Sequence, residues 1–201
     1  MFKVFIPTDF SRNATNAIKY ALNMSKKLDA KFILFHGGIL PIPVGEMPIV
    51  TSVLDGAEIK AHLKAAIFKQ ATEAKFKLNE KRIDYLATED FSLPPMITQN
   101  ALKVKADLII MGTKGASGIK KAFIGSNAVD VISRSHIPVL SVPNNYEYTG
   151  IKKILMPSDL KNLTGELREA LPFAKLFNAQ LQILFISDAS EKGMKRYDAA
   201  V

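Results

Sequence analysis

Between Phe2 and Val142 short apolar runs alternate with longer amphipathic stretches, and two of the runs, Phe32–Phe35 (FILF) and Leu108–Met111 (LIIM), contain no polar residue. A strand with one face in water alternates apolar and polar residues, whereas an unbroken apolar run suits a strand buried on both faces. Such strands need helices on either side of a largely parallel sheet, and the amphipathic stretches between the runs supply them. Phe2–Ile6 is a first strand, stopped by Pro7. Ser11 is a credible N-cap, and behind it Ala14, Ala17, Ile18, Ala21 and Leu22 recur at helical spacing. Lys31–His36 is the second strand. Ala57–Lys81 reads as one long helix with Ile59, Leu63, Ile67, Ala71 and Ala74 on one side, and Ile83–Ala87 as a third strand. A helix follows from Met96 to Lys105 behind Pro94–Pro95, then a strand Asp107–Met111, a helix Ser126–Arg134 and a last strand Val139–Val142. The expected fold is α/β, an open, mostly parallel five-stranded sheet with helices on both faces.

One stretch breaks this rhythm. Gly37–Gly56 places Pro41, Pro43 and Pro48 among Ile39, Leu40, Ile42, Val44, Met47, Ile49 and Val50. Either it packs across the sheet edge or a partner, or it forms a lid.

After the segment Asn144–Gly150 (NNYEYTG), which reads as a linker, the opening of the chain returns. Ile151–Leu160 (IKKILMPSDL) matches Met1–Phe10 (MFKVFIPTDF), with Pro157 over Pro7 and Asp159 over Asp9; FNAQLQILFI then matches LDAKFILFH. The expected division is a domain over 1–145 and an incomplete second copy over 151–201. The second copy has strand, helix and strand but lacks the last three strands and the glycine-rich segment. So small a unit buries little surface by itself; it either packs on the first copy or belongs to a longer tandem chain, and the second is favoured.

Composition narrows the chemistry. The absence of cysteine removes disulfides, thiolate catalysis and cysteine zinc sites. Three histidines, His36, His62 and His136, make no metal cluster. No apolar run approaches the roughly 18 residues that cross a bilayer, and the start reads as strand and loop, not as a signal peptide; a soluble cytoplasmic protein is expected. The net charge of +8 is spread along helices such as the one bearing Lys60, Lys64 and Lys69. It forms no block interleaved with stacking aromatics, so nucleic acid is not an expected partner.

The chemistry-bearing segment runs from Gly112 to Asn127 (GTKGASGIKKAFIGSN), leaving the strand LIIM and entering a helix. Ligands of open parallel sheets bind beyond the carboxyl ends of the strands. Glycines there let backbone N–H groups approach a phosphate, and Gly125–Ser126 falls where a helix begins, with its free amides and positive dipole end. Ser126 and Asn127 add side-chain donors; Lys114 and Lys120 add charge. The segment is neither a P-loop nor a dinucleotide fingerprint. The plainer alternative is a long connection in which the glycines serve turns alone. Pro7, Thr8 and Asp9 end the first strand; a carboxylate there either accepts hydrogen bonds from a ribose or base edge or caps the first helix.

These residues resemble the universal stress protein family: 1–142 a whole domain, 151–190 the opening of a second. Nucleotide-binding members carry G-x2-G-x9-G-[S/T], which Gly112, Gly115, Gly125 and Ser126 match without a gap, and His136–Val142 (HIPVLSV) is similar to the family's closing strand. The resemblance implies sheet order 3-2-1-4-5 and an adenine-nucleotide site. In it Pro7, Thr8 and Asp9 lie near the adenosine, the backbone around His36 near the base, and Met111, Gly112, Lys114, Gly115, Gly125, Ser126 and Asn127 around the phosphates. ATP, with or without Mg²⁺, is the first candidate. The implied assembly is a homodimer or an intrachain pseudo-dimer through the fifth strand, with room for an unidentified protein partner. No base for hydrolysis is placed beside Asp9, so at most slow ATPase activity is expected and no catalytic residue is assigned. The second copy, without a glycine loop, forms no such site. The alternative function is a dimeric scaffold or signalling adaptor that binds no nucleotide.

Overall fold

A computed structural model describes residues 1–39, 56–73, 77, 79–90, 92–113, 125–185 and 197–198. The chain divides into two compact units, Met1–Glu147 and Tyr148–Val201.

Unit 1 holds a five-stranded sheet in the order β3-β2-β1-β4-β5, every pair parallel. Its elements are β1 (Phe2–Pro7), α1 (Arg12–Met24), β2 (Ala30–Ile39), α2 (Gly56–Glu73), β3 (Ile83–Asp90), α3 (Leu93–Lys103), β4 (Leu108–Gly112), α4 (Ser126–Arg134) and β5 (Val139–Val142). Val4, Phe5 and Ile6 are successive residues that point to alternate faces, and all three are 0% exposed. That is the two-sided burial the unbroken apolar runs imply. On one face Phe5, Ile33, Phe35, Ile109 and Met111 form a core with Met96, Ile97 and Ala101 of α3 and Ala128 and Val131 of α4. On the other, α1 and α2 cover β1, β2 and β4 with Ile18, Leu22, Leu63 and Ile67 fully buried. Burying one such side chain is worth about 1.5–3 kcal/mol.

The boundaries differ where local chemistry overrides periodicity. The long second helix stops at Glu73, and Glu80–Arg82 is a separate 3-10 turn capped by the Asn79 side chain. Helix α3 starts at Leu93, before its two prolines and not after them. Prolines fit there because the first turn's N–H groups have no intrahelical acceptor to lose. Strand β2 runs past His36 through Gly37 and Gly38, each paired with β3. Of the segment read as a linker, Asn144–Glu147 belongs to unit 1: Asn16 donates to the carbonyls of Pro143 (3.1 Å) and Tyr146 (3.3 Å), and Lys19 pairs with Glu147 at 3.2 Å.

Unit 2 contains β6 (Lys153–Ser158), α5 (Leu163–Phe177), β7 (Gln180–Phe185) and β8 (Tyr197–Asp198). β6 and β7 pair in parallel as β1 and β2 do, while β8 joins β7 antiparallel and was not foreseen from the repeat. Residues 40–55, where packing or a lid was expected, and 114–124, which hold Lys114, Gly115 and Lys120, lie outside the described residues. No described helix is long and apolar enough to cross a membrane.

Candidate functional site

β1 and β4 are neighbours, yet the chain leaves them toward opposite faces, through α1 and toward α4. The reversal opens a crevice at their carboxyl ends, the place where open α/β sheets hold ligands.

The β1 side of the crevice is a tight turn. Thr8 N–H donates to the Phe35 carbonyl at 2.8 Å, which ties the turn to β2. The Thr8 hydroxyl oxygen then accepts the Phe10 N–H, and Asp9 Oδ1 accepts the Ser11 N–H, both at 3.0 Å. These two bonds hold Phe10 in the left-handed region at φ 60°, which a non-glycine residue enters only when such contacts compensate. Ser11 caps α1 by accepting the Ala14 N–H. The Asp9 carboxylate therefore has a structural duty, and the repeat reproduces it. Ser158 Oγ accepts the Leu160 N–H at 2.9 Å, Asp159 Oδ1 accepts the Lys161 N–H at 3.0 Å, and Leu160 has φ 64°. Asp159 is held below the ordinary carboxylate value of 3.8, chiefly by that N–H and then by the Lys161 side chain.

His36 stands beside this turn at the end of β2. Its Nδ1 donates to the Thr8 carbonyl at 2.8 Å, so in the neutral ring Nε2 is the acceptor. Phe10 packs on it, ring centroids 4.8 Å apart, and on His62 of α2 at 6.0 Å. Phe10 and His62 thus join the predicted set as an aromatic wall. A left-handed turn leaves no mark in hydrophobic periodicity; only the recurrence of the motif at Leu160 signals it.

The β4 side is built from backbone. The Met111 side chain lies in the core beneath the crevice, so only its main chain faces that end. A Cβ at Gly112 would come within 2.9 Å of the Asn13 carbonyl oxygen; glycine here lets the first turn of α1 close on β4. Thr113 N–H donates to the Val142 carbonyl, and Gly125 N–H donates back to the Thr113 carbonyl, so the two ends of the loop meet. The Gly125 carbonyl accepts from Ala128 and Val129. Gly125 is the N-cap of α4, which has no side-chain cap and no acidic residue in its first turn. The N–H groups of Ser126 and Asn127 have no acceptor among the described residues, and both residues are exposed. Of the sequence-predicted residues, Pro7, Thr8, Asp9 and His36 are thus brought to one side of the crevice and Gly112, Gly125, Ser126 and Asn127 to the other.

The family model described as the universal stress protein family matches residues 1–143. The chain belongs to that family. A universal stress protein of Methanocaldococcus jannaschii, MJ0531, is 31% identical over 147 residues, covering 70% of this chain and 81% of its own. The stress protein YxiE of Bacillus subtilis is 28% identical and covers 70% and 97%. Among solved structures, a universal stress protein from Archaeoglobus fulgidus DSM 4304 aligns with TM-score 0.58 at 20% identity, covering 94% of this chain and 67% of its own. A universal stress protein in complex with cAMP aligns at TM-score 0.51 and 24% identity, covering 72% and 98%.

Proposed function

We propose that unit 1 binds one adenine nucleotide, ATP first, in this crevice and serves as a sensing or response module of the stress-protein type. The observation that carries the reading is the start of α4: two N–H groups without an acceptor among the described residues, no side-chain cap and no acidic residue in the first turn, at the β1–β4 switch point that also holds the Asp9 turn. The motif assigns Lys114 and Gly115, which lie outside the described residues, to the phosphates, and the wall of His36 and Phe10 takes the base. One universal stress protein of similar fold, solved in complex with cAMP, supports the choice of the adenine class. Mg²⁺ comes with the phosphates; the described residues contain no group of three or more His, Asp or Glu to hold it by themselves. With one oxygen of Asp9 engaged in its turn, no general base is assigned and the chain is read as a binder. Residues 1–145 act as the nucleotide-binding domain and 151–201 as an incomplete second copy, paired through β5 as a homodimer or an intrachain pseudo-dimer.

A second reading has its own support. Gly112, Gly125 and Asp9 all have structural work in the fold, so a scaffold without nucleotide would keep them. Calorimetric titration of ATP and of AMP, with Mg²⁺, into nucleotide-free protein separates the two. Saturable binding of one ATP per chain, weakened at least about tenfold in Gly125→Val, is expected, since one charge-assisted bond accounts for that much. No heat of binding at millimolar ATP leaves the scaffold.

A further inference from the structure

A second cavity, of about 320 Å³, lies along the outer side of α1, between α2 and the segment that leaves β5. It is separate from the crevice. α1 lines it with Arg12, Asn16 and Lys19, residues that share one helical stripe; α2 contributes Gln70, and the exit segment Asn145 and Glu147. Two of these groups hold the wall together. Asn16 spends its amide on the carbonyls of Pro143 and Tyr146, and Lys19 is neutralised by Glu147 at 3.2 Å. The stacking of Tyr20 on Tyr146, centroids 6.2 Å apart, fastens the same segment.

Two groups are left over. Gln70 is only 2% exposed, and it stands in the lining of the cavity. A side-chain amide in that lining offers an occupant an N–H₂ donor and a carbonyl acceptor. Arg12 has no ion pair or hydrogen bond among the described residues, and its planar fork fits an oxyanion in two-point fashion. With Lys19 and Glu147 cancelling, Arg12 sets the sign of the cavity. Its size is at the lower end for ligand pockets, roughly 300–1,000 Å³, too small for a nucleotide with its phosphates.

We infer that this cavity binds the oxyanion of a small polar molecule, a carboxylate or phosphate group held by the Arg12 guanidinium and the Gln70 amide. Because part of its wall is the segment that leaves β5, an occupant braces that segment against α1.

The test follows the Gln70 side-chain amide resonance of the ¹⁵N-labelled full chain. Inorganic phosphate and, separately, citrate are titrated at constant ionic strength. A saturable shift is expected with at least one of them; phosphate alone identifies a phosphate group, citrate alone a carboxylate. Arg12→Gln weakens it at least about tenfold, while Gly125→Val, which disables the nucleotide crevice, leaves it intact. Gln70→Leu, followed through the Arg12 Nε resonance, loses binding as well, since it removes the amide from the lining. A linear, unsaturated shift with both anions overturns the inference. So does saturable binding that survives Arg12→Gln or Gln70→Leu.

Discussion

A Cβ added at Gly112 would stand 2.9 Å from the Asn13 carbonyl oxygen and 3.0 Å from its carbonyl carbon, whereas one at Gly37 would meet Leu93 Cδ1 at 2.7 Å and Met96 Sδ at 2.9 Å. The Gly37 contact is nominally the shorter, but the ends of flexible side chains rotate away and a helix backbone does not. Gly112→Ala should therefore destabilise unit 1 by about 2–3 kcal/mol and Gly37→Ala by less than about 1 kcal/mol, the range for overpacking. Urea unfolding followed through unit 1 amides checks the order; equal costs would mean that α1 gives way easily. The glycine spacing was visible in the sequence, and so was the strand it ends. The reason for Gly112 was not, because Asn13 comes near it only through the packing of α1 on β4. Met111 shows the same limit: its place at a strand end points to the site, while its side chain belongs to the core.

At the scale of the element, the turn after the first strand of each copy is built alike, with a hydroxyl and a carboxylate each accepting a backbone N–H two residues on. The Lys161 N–H and then its ammonium hold the Asp159 carboxyl below 3.8. A group with a depressed folded value binds its proton less well than in the unfolded chain. The stability it contributes is present above the ordinary carboxylate range and is lost as pH falls through the folded value. Carboxyl ¹³C titration should put the Asp159 midpoint below 3.8, and Lys161→Ala should raise it only part of the way, since the backbone donor remains. A midpoint at or above 3.8 would remove the turn bond as the cause. Strands and helices were readable because burial imposes a period; this turn is a matter of two hydrogen bonds and one positive φ, and only its repetition gave it away. The helix starts misread at Pro94–Pro95 belong here too, since proline breaks a helix interior and suits its first turn.

Across the whole molecule the repeat is legible in the letters and unequal in the packing. Leu155 takes the place of Phe5 in the second copy, yet Phe5 is 0% exposed and Leu155 is 58% exposed. In unit 1, α3 and α4 cover the Phe5 face; in unit 2, α5 packs on β6 and β7, and β6 alternates between exposed and half-buried residues along its length. Sequence similarity reports what a strand can pack against, not what is there to cover it. The same truncation should then cost different amounts in the two copies. Phe5→Ala removes a fully packed ring and should destabilise unit 1 by about 3–5 kcal/mol, while Leu155→Ala should stay within about 0.5 kcal/mol, as exposed positions do. Denaturant-dependent hydrogen exchange, read separately from β1 and β6 amides, gives both numbers from the full chain. A cost above about 2 kcal/mol at Leu155 would show that in solution the β6 face is covered. The dependence of that cost on protein concentration would then tell whether the cover is a second copy, because only association obeys mass action.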